Sequence, residues 1–137
     1  MCAIMSQPLL TVRRLEIASE MHHRETIAAL YRSGAWGHGD TFERDLDAHR
    51  KHGYIIDTPE CFIMWRTVWP LWSLEEMRTP ELVYPKGHTA WVWAAAGDIK
   101  AAADAALQVT PDVRFVGYDR RGKTRFWHLN DVLYRIR

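Results

Sequence analysis

The stretch Thr89-Ala90-Trp91-Val92-Trp93-Ala94-Ala95-Ala96 carries no charged residue and is followed at once by Gly97 and Asp98. A strand without charge on either side is typical of a central strand whose two faces are both covered. Segment 99–109 is rich in alanine and holds no helix breaker, so we predict a helix there, with Asp98 as its N-cap. The two elements together predict a layered α/β arrangement with this strand in the middle of the sheet.

The elements on either side of this unit follow from hydrophobic spacing and from turn residues. Ser19 is the expected N-cap of a first helix that ends near Gly34, and Asp40 or Thr41 is the expected cap of a second helix that ends at Gly53. The predicted ranges are strand 9–15, helix 20–33, helix 41–52, hairpin strands 54–57 and 61–69, an irregular connection 71–88 with one helical turn near 73–78, strand 113–118, turn 119–123, strand 124–129, and a short helix to the end of the chain.

This order of elements predicts an α/β (α+β) fold in one domain spanning residues 1–137. Successive short strands joined by tight turns favour antiparallel neighbours, whereas the strand–helix–strand unit near the end favours one parallel pair. We therefore expect a mixed, mostly antiparallel and twisted sheet with helices on both faces.

Composition excludes several classes of function. The chain has 18 Lys and Arg against 17 Asp and Glu, a formal charge of +1, so a nucleic-acid partner is not expected. It has no apolar run near the roughly 18 residues of a membrane span and no signal-peptide pattern, which predicts a cytoplasmic protein without a membrane partner. Cys2 and Cys61 form no redox or zinc motif, so both are expected as free thiols. The 7 Trp are most simply core residues, and with exposed strand edges they leave a homodimer open.

The element order resembles the GNAT-type N-acyltransferase superfamily over nearly the whole chain. The resemblance is carried by Thr11-Val12-Arg13-Arg14 before the first helix, by the hairpin 54–69, and by strand 89–96 leading directly into a helix. The C-terminal part, a tight hairpin without a fourth helix before it, is similar to the compact toxin-activating lysine acyltransferases. The resemblance implies a transferase that moves an acyl group from acyl-coenzyme A to the amine of a small molecule or to a protein lysine.

In that superfamily the acyl-coenzyme A, acetyl or longer, lies along the central strand, with its pyrophosphate at the start of the following helix. The resemblance therefore assigns cofactor binding to Trp93, Ala94, Ala95, Ala96, Gly97 and Lys100. The family pattern asks for Arg or Gln, two residues, and then Gly-x-Gly or Gly-x-Ala, whereas this chain has one glycine and the carboxylate of Asp98 in that loop. A second reading is consequently a noncatalytic GNAT-like structural or interaction protein, of a phage-associated kind, with a degenerate pyrophosphate loop.

Acyl transfer to an amine needs a general base, and a histidine suits that role near neutral pH. His38 lies between Gly37 and Gly39, near where the toxin-activating family places a catalytic histidine, and Asp40 or Glu76 is expected to orient it. The alternative is a solvated loop histidine. We expect no metal, because neighbouring His22 and His23 point about 100° apart on a helix and no third ligand accompanies His49 and His52.

Overall fold

In the part of the chain that the structure describes, five strands form a single sheet whose spatial order is the order of the chain. The structure is a computed structural model that describes residues 23–33, 42–69, 79, 86–120 and 123–136. Its elements are α1 (Arg24–Arg32), α2 (Phe42–His52), β1 (Tyr54–Asp57), β2 (Cys61–Val68), β3 (Thr89–Gly97), α3 (Ile99–Val109), β4 (Phe115–Arg120), β5 (Lys123–His128) and α4 (Leu129–Arg135).

The sheet is mixed, and β3 lies at its centre, as the charge-free stretch predicted. β1 with β2, β2 with β3 and β4 with β5 are antiparallel pairs. β3 and β4 are parallel, because α3 carries the chain back between them. The predicted mixed, mostly antiparallel α/β sheet is therefore confirmed.

Helices cover both faces of this sheet. On one face, His49 of α2 packs against Trp93 of β3 at 4.9 Å between ring centroids, and Tyr31 of α1 contacts Phe42 of α2 at 5.2 Å. On the other face, α3 and α4 line one cavity together with β2, β3, β4 and β5. The largest fully buried side chains include Trp65, Trp91, Tyr31 and Phe62, which places the aromatic residues at the core of the fold.

A β-bulge interrupts the pairing of β2 with β3. Met64 pairs with Ala94 but the next residue, Trp65, pairs with Val92, so Trp93 is the extra residue on β3. A bulge shifts the alternation of side chains by one position. We expected Ala94 on the same face as Ala90 and Val92, but Ala95 lines the cavity with them instead.

The start of α1 differs from the prediction. The helix begins at Arg24, not Glu20, because His23 has non-helical backbone angles (φ −113°, ψ 17°) and its ring donates a hydrogen bond from Nε2 to the carbonyl of Thr58 at 3.0 Å. His23 thus precedes the helix, instead of lying in its first turn. The predicted strand 9–15, the Ser19 cap and the helical turn near 73–78 lie outside the described residues.

The C-terminal hairpin is tighter and begins later than predicted. The backbone N–H groups of Arg114 and Phe115 both donate to the carbonyl of His88, so β4 starts only at Phe115. Its pairing with β5 continues to Arg120 and Lys123, closer to the turn than expected. The predicted short terminal helix is present as α4. None of the helices within residues 23–33, 42–69 and 86–136 that the structure describes is long and apolar enough to cross a bilayer.

Candidate functional site

The two parallel strands β3 and β4 pair over only part of their length. Their register runs from Thr89 with Phe115 to Val92 with Tyr118, and it stops where Trp93 forms the bulge. β3 continues to Gly97 and β4 to Arg120, but these final parts are not paired with each other. A bulge strengthens the local twist of a strand, which accounts for the two strands parting here. We refer to the unpaired edge of segment 93–97 and the adjoining apolar space, which Ala95 and Ile99 line, as the cleft, and the cofactor is expected here.

The residues expected to bind the cofactor divide between the two faces of β3. The ring of Trp93 is buried under α2, and the guanidinium of Arg66 lies 5.2 Å from its centroid. Ala95 lies on the opposite face, toward α3. Lys100 is exposed at the start of α3, and its Nζ pairs with Asp104 one turn along at 3.1 Å. Of these side chains, that of Ala95 therefore faces the cavity, whereas Trp93 belongs to the core beneath α2.

Asp98 caps α3 with its own side chain. Its carboxylate accepts a hydrogen bond from the backbone N–H of Ala101 at 3.1 Å, and its own N–H donates to the carbonyl of Glu60 at 2.9 Å. Gly97 before it has φ +83°, a conformation that L side chains rarely adopt, and a Cβ there would lie 2.5 Å from the oxygen of Glu60. A protein carboxylate thus occupies the N-terminus of α3, where an anionic ligand would otherwise bind.

An apolar cavity of about 320 Å³ lies between α3, the sheet and α4. Alanines of α3, among them Ala102 and Ala106, form one wall, and Val92, Val116 and Trp127 form the wall across from them. Small residues on the helix leave this space open, because alanine side chains do not reach the sheet. Its volume is at the lower end of the roughly 300–1,000 Å³ of small-molecule pockets.

The uncharged polar side chains in the walls of this cavity are already bonded within the protein. The indole N–H of Trp65 donates to Thr110 at 3.2 Å, and the hydroxyl of Thr110 donates to the carbonyl of Ala106 at 3.1 Å. The indole N–H of Trp127 donates to the hydroxyl of Tyr118 at 3.0 Å. The surface that faces the open space is therefore mostly hydrocarbon.

The expected catalytic residues His38, Asp40 and Glu76 all lie outside the described residues. Their roles stay predictions from the sequence.

A buried polar cluster beneath α1 and α2 was not expected from the sequence. Tyr31, Asp45, His49 and Arg66 are each at most 2% exposed. The hydroxyl of Tyr31 donates to Asp45 at 2.7 Å. Burial, and to a smaller extent the nearby carboxylate of Asp45, raises the pKa of this phenol far above its usual value. No pattern of consecutive residues indicates this cluster, because only the packing of α1 against α2 and of α2 on β2 brings its members together.

Within this cluster His49 is held as a neutral base. Its Nδ1–H donates to the carbonyl of Asp45 at 2.7 Å, so its lone pair is on Nε2, and Nε2 has no hydrogen-bond partner among the described residues. Burial, and to a smaller extent the positive charge of Arg66, lowers the pKa of His49 to about 3. The ring is thus uncharged over the physiological range of pH.

Neither histidines nor cysteines of the described ranges assemble a metal centre. No group of three or more His, Cys, Asp or Glu side chains in these ranges is arranged to hold an ion. Cys61 is a buried free thiol, as predicted, and burial raises its pKa, so it is a poor nucleophile.

Comparisons of this chain with protein-family models, with curated proteins and with solved structures found no match.

Proposed function

We propose that this chain is an acyl-coenzyme A-dependent N-acyltransferase of the GNAT-like kind, with the cofactor lying along β3 and α3. The observation that carries the proposal is the end of β3–β4 pairing at Val92 and Tyr118. Beyond it, segment 93–97 borders a cleft that leads from the apolar cavity to the start of α3. An extended ligand with an apolar acyl end fits such a cleft, because a strand edge offers backbone hydrogen bonds and the cavity offers apolar contacts.

The proposed reaction transfers the acyl group from the thioester to an amine of a small molecule or a protein lysine. His38, oriented by Asp40 or Glu76, takes the proton from the incoming ammonium. The amine then attacks the thioester carbonyl, and the coenzyme A thiolate leaves and is protonated. The roles of His38, Asp40 and Glu76 rest on the sequence and on the resemblance stated above.

One observation favours the second candidate, a noncatalytic GNAT-like structural or interaction protein. Asp98 caps α3 and so brings a negative charge to the position expected for the pyrophosphate. In this alternative the chain keeps the sheet and the cleft but has lost the anion site.

A thermal-shift titration with acetyl-coenzyme A and with a long-chain acyl-coenzyme A tests these candidates. A ligand that binds the native state raises the melting temperature in a saturable way. Asp98→Gly opens the helix N-terminus, whereas Asp98→Asn is the matched control, because asparagine caps equally well without the charge. A saturable shift of the wild type supports the acyltransferase. A shift only in Asp98→Gly supports the noncatalytic candidate, and no shift in any variant at millimolar ligand contradicts cofactor binding altogether.

When the wild type binds the cofactor, the rate of acyl transfer tests whether His38 is the base. His38→Ala is expected to lower turnover by roughly a factor of one hundred or more. Unchanged turnover would remove His38 from the mechanism.

Two expectations about the protein's setting also stay proposals. A homodimer is supported by Phe115 and Phe126, which are 38% and 49% exposed on the hairpin β4–β5. A cytoplasmic location is supported by the sequence alone.

A further inference from the structure

We propose that the cavity between α3, the sheet and α4 binds a monomeric fatty carboxylate, with the guanidinium of Arg135 holding its head group. The proposed function uses the same cavity for the acyl end of its ligand, but this inference goes beyond the transfer reaction, because a free carboxylate needs neither coenzyme A nor the start of α3. It rests on the cavity's apolar walls and on the sign of the charges at its rim.

The interior of the cavity suits a hydrocarbon chain better than water. The uncharged polar side chains in its walls are bonded to one another, Trp65 to Thr110 and Trp127 to Tyr118, and the charged side chains of Arg120 and Arg135 are exposed at its rim. Water enters a cavity stably when it finds two to four polar partners, which these walls do not provide. The volume of about 320 Å³ leaves space for an alkyl chain rather than for a single methyl group.

The charged residues that line this cavity are all positive. Arg120 at the end of β4 and Arg135 at the end of α4 are among its lining residues, and the described lining residues include no Asp or Glu. A fatty acid combines these two properties, an apolar chain and one negative head group. A neutral lipid would bring no negative group to the guanidinium of Arg135, and a cationic amphiphile would be repelled by it.

Arg135 is close enough to the cavity to receive a carboxylate. Its guanidinium lies over the ring of Trp127, 4.5 Å from the centroid, and both residues line the cavity. A planar guanidinium binds a carboxylate through two parallel hydrogen bonds.

The register of the hairpin adds two more cations to the same face. Arg125 pairs with Tyr118 and Lys123 pairs with Arg120, and residues that pair directly project to the same side of a sheet. The rim toward the hairpin therefore has a positive field that attracts an anion before it docks.

Isothermal titration calorimetry of the full chain with octanoate, laurate and palmitate, each below its micelle concentration, tests the proposal. We expect saturable 1:1 binding that tightens from octanoate to laurate, by at most about fourfold for each methylene buried. Dodecyltrimethylammonium, with the same chain length as laurate but a positive head, is expected not to bind.

Two variants test the separate parts of the site. Arg135→Gln is expected to weaken laurate binding about tenfold or more, since hydrogen bonds to charged groups are the strong ones. Arg32→Gln is the matched control, because Arg32 is likewise exposed in the last turn of a helix but lies on α1. Ala106→Phe fills the cavity and is expected to abolish binding, and the melting temperature of the variant shows whether it has folded.

Several results would overturn the proposal. These are the absence of saturable binding to any of the three carboxylates, equal affinity for dodecyltrimethylammonium, and wild-type affinity in Arg135→Gln. Binding to anionic vesicles without binding to monomeric laurate would also overturn it and would identify a membrane surface as the partner. Laurate binding without any response to acyl-coenzyme A would support this site while contradicting the proposed transferase, so the two proposals fail separately.

Discussion

The imidazole of His49 makes the stability of this protein sensitive to acid. The ring is 1% exposed, and it lies near the carbonyl of Asp45 on its own helix, the ring of Trp93 on β3 and the charge of Arg66 on β2; His52, also on its own helix, acts on it in the same direction as Arg66. None of these stabilises an added proton enough to offset burial. Protonation must therefore occur mostly in the unfolded chain.

We expect the free energy of unfolding to fall as the pH is lowered from about 6.5 toward 3. The folded pKa of His49 is about 3 and the unfolded value is 6.5, so in this window the unfolded state binds the extra proton. The stabilisation is fully present above the unfolded pKa. At about pH 4.5 the loss from this one group is on the order of 2–3 kcal/mol. Urea unfolding at a series of pH values measures it.

His49→Asn separates this group from the carboxylates that also titrate in acid. Asparagine keeps a donor for the carbonyl of Asp45 but has no titratable ring, so its unfolding free energy should depend less steeply on pH than that of the wild type. His52→Asn, an exposed change on the same helix, removes the smallest of the effects on the pKa of His49 and should therefore reduce the slope far less than His49→Asn does. Identical slopes for wild type and His49→Asn would show that His49 does not govern the acid response.

At the scale of elements, the parts of the fold that local sequence determines were predicted well. The charge-free strand 89–96, the cap at Asp98 and the alanine-rich helix after it need only neighbouring residues to specify them, and the structure has all three. The bulge at Trp93 needs the pairing with β2, and the start of α1 needs the contact of His23 with Thr58. Both depend on residues distant in sequence, and no local pattern indicates them.

Gly97 joins β3 to α3, and we expect it to tolerate no side chain. Gly97→Ala puts a Cβ at φ +83° and 2.5 Å from the carbonyl oxygen of Glu60, so it combines backbone strain with a clash against main chain that cannot rotate away. The expected loss is about 2 kcal/mol or more of unfolding free energy, measured in urea at neutral pH.

Gly97→Asn distinguishes the two causes of that loss. Asparagine visits the left-handed region more readily than alanine but carries the same Cβ, so it should recover only the part due to backbone strain. Wild-type stability in Gly97→Ala would mean that the junction can move away from Glu60.

For the whole molecule, the candidate site shows why composition and motifs indicate function only in part. The resemblance expected a ligand at the cleft along 93–97. A site at this position can be predicted from consecutive residues, because one strand and the helix after it define it. The cavity is formed by α3, four strands and α4, and the positive rim combines residues from β4 and α4. The cluster around His49 likewise joins two helices and a strand. Such sites follow from tertiary packing and have no signature in consecutive residues.

Exposed aromatic residues on the hairpin β4–β5 predict that the molecule assembles into a dimer. Phe115 and Phe126 are exposed on one face of the hairpin β4–β5, the same face of the sheet as Trp91. The ring of Phe126 lies over Gly117, and its centroid is 5.8 Å from that of Trp91. Adjacent exposed aromatic rings beside an edge strand are a typical contact surface between subunits. We expect a dimer that buries them.

Sedimentation velocity over a range of concentrations tests this expectation. Phe115→Ser removes one ring of the proposed contact without deleting a fully buried residue, so it should shift the equilibrium toward monomer and leave the melting temperature of the monomer nearly unchanged. Tyr134→Ser is the control, because Tyr134 is 77% exposed but lies on α4, away from this face. Because the contact is mostly apolar, added salt should not dissociate the dimer, as it would an electrostatic one. A wild type that sediments as a monomer at every concentration, or a Phe115→Ser variant that dimerises as tightly as the wild type, would contradict this surface as the subunit interface.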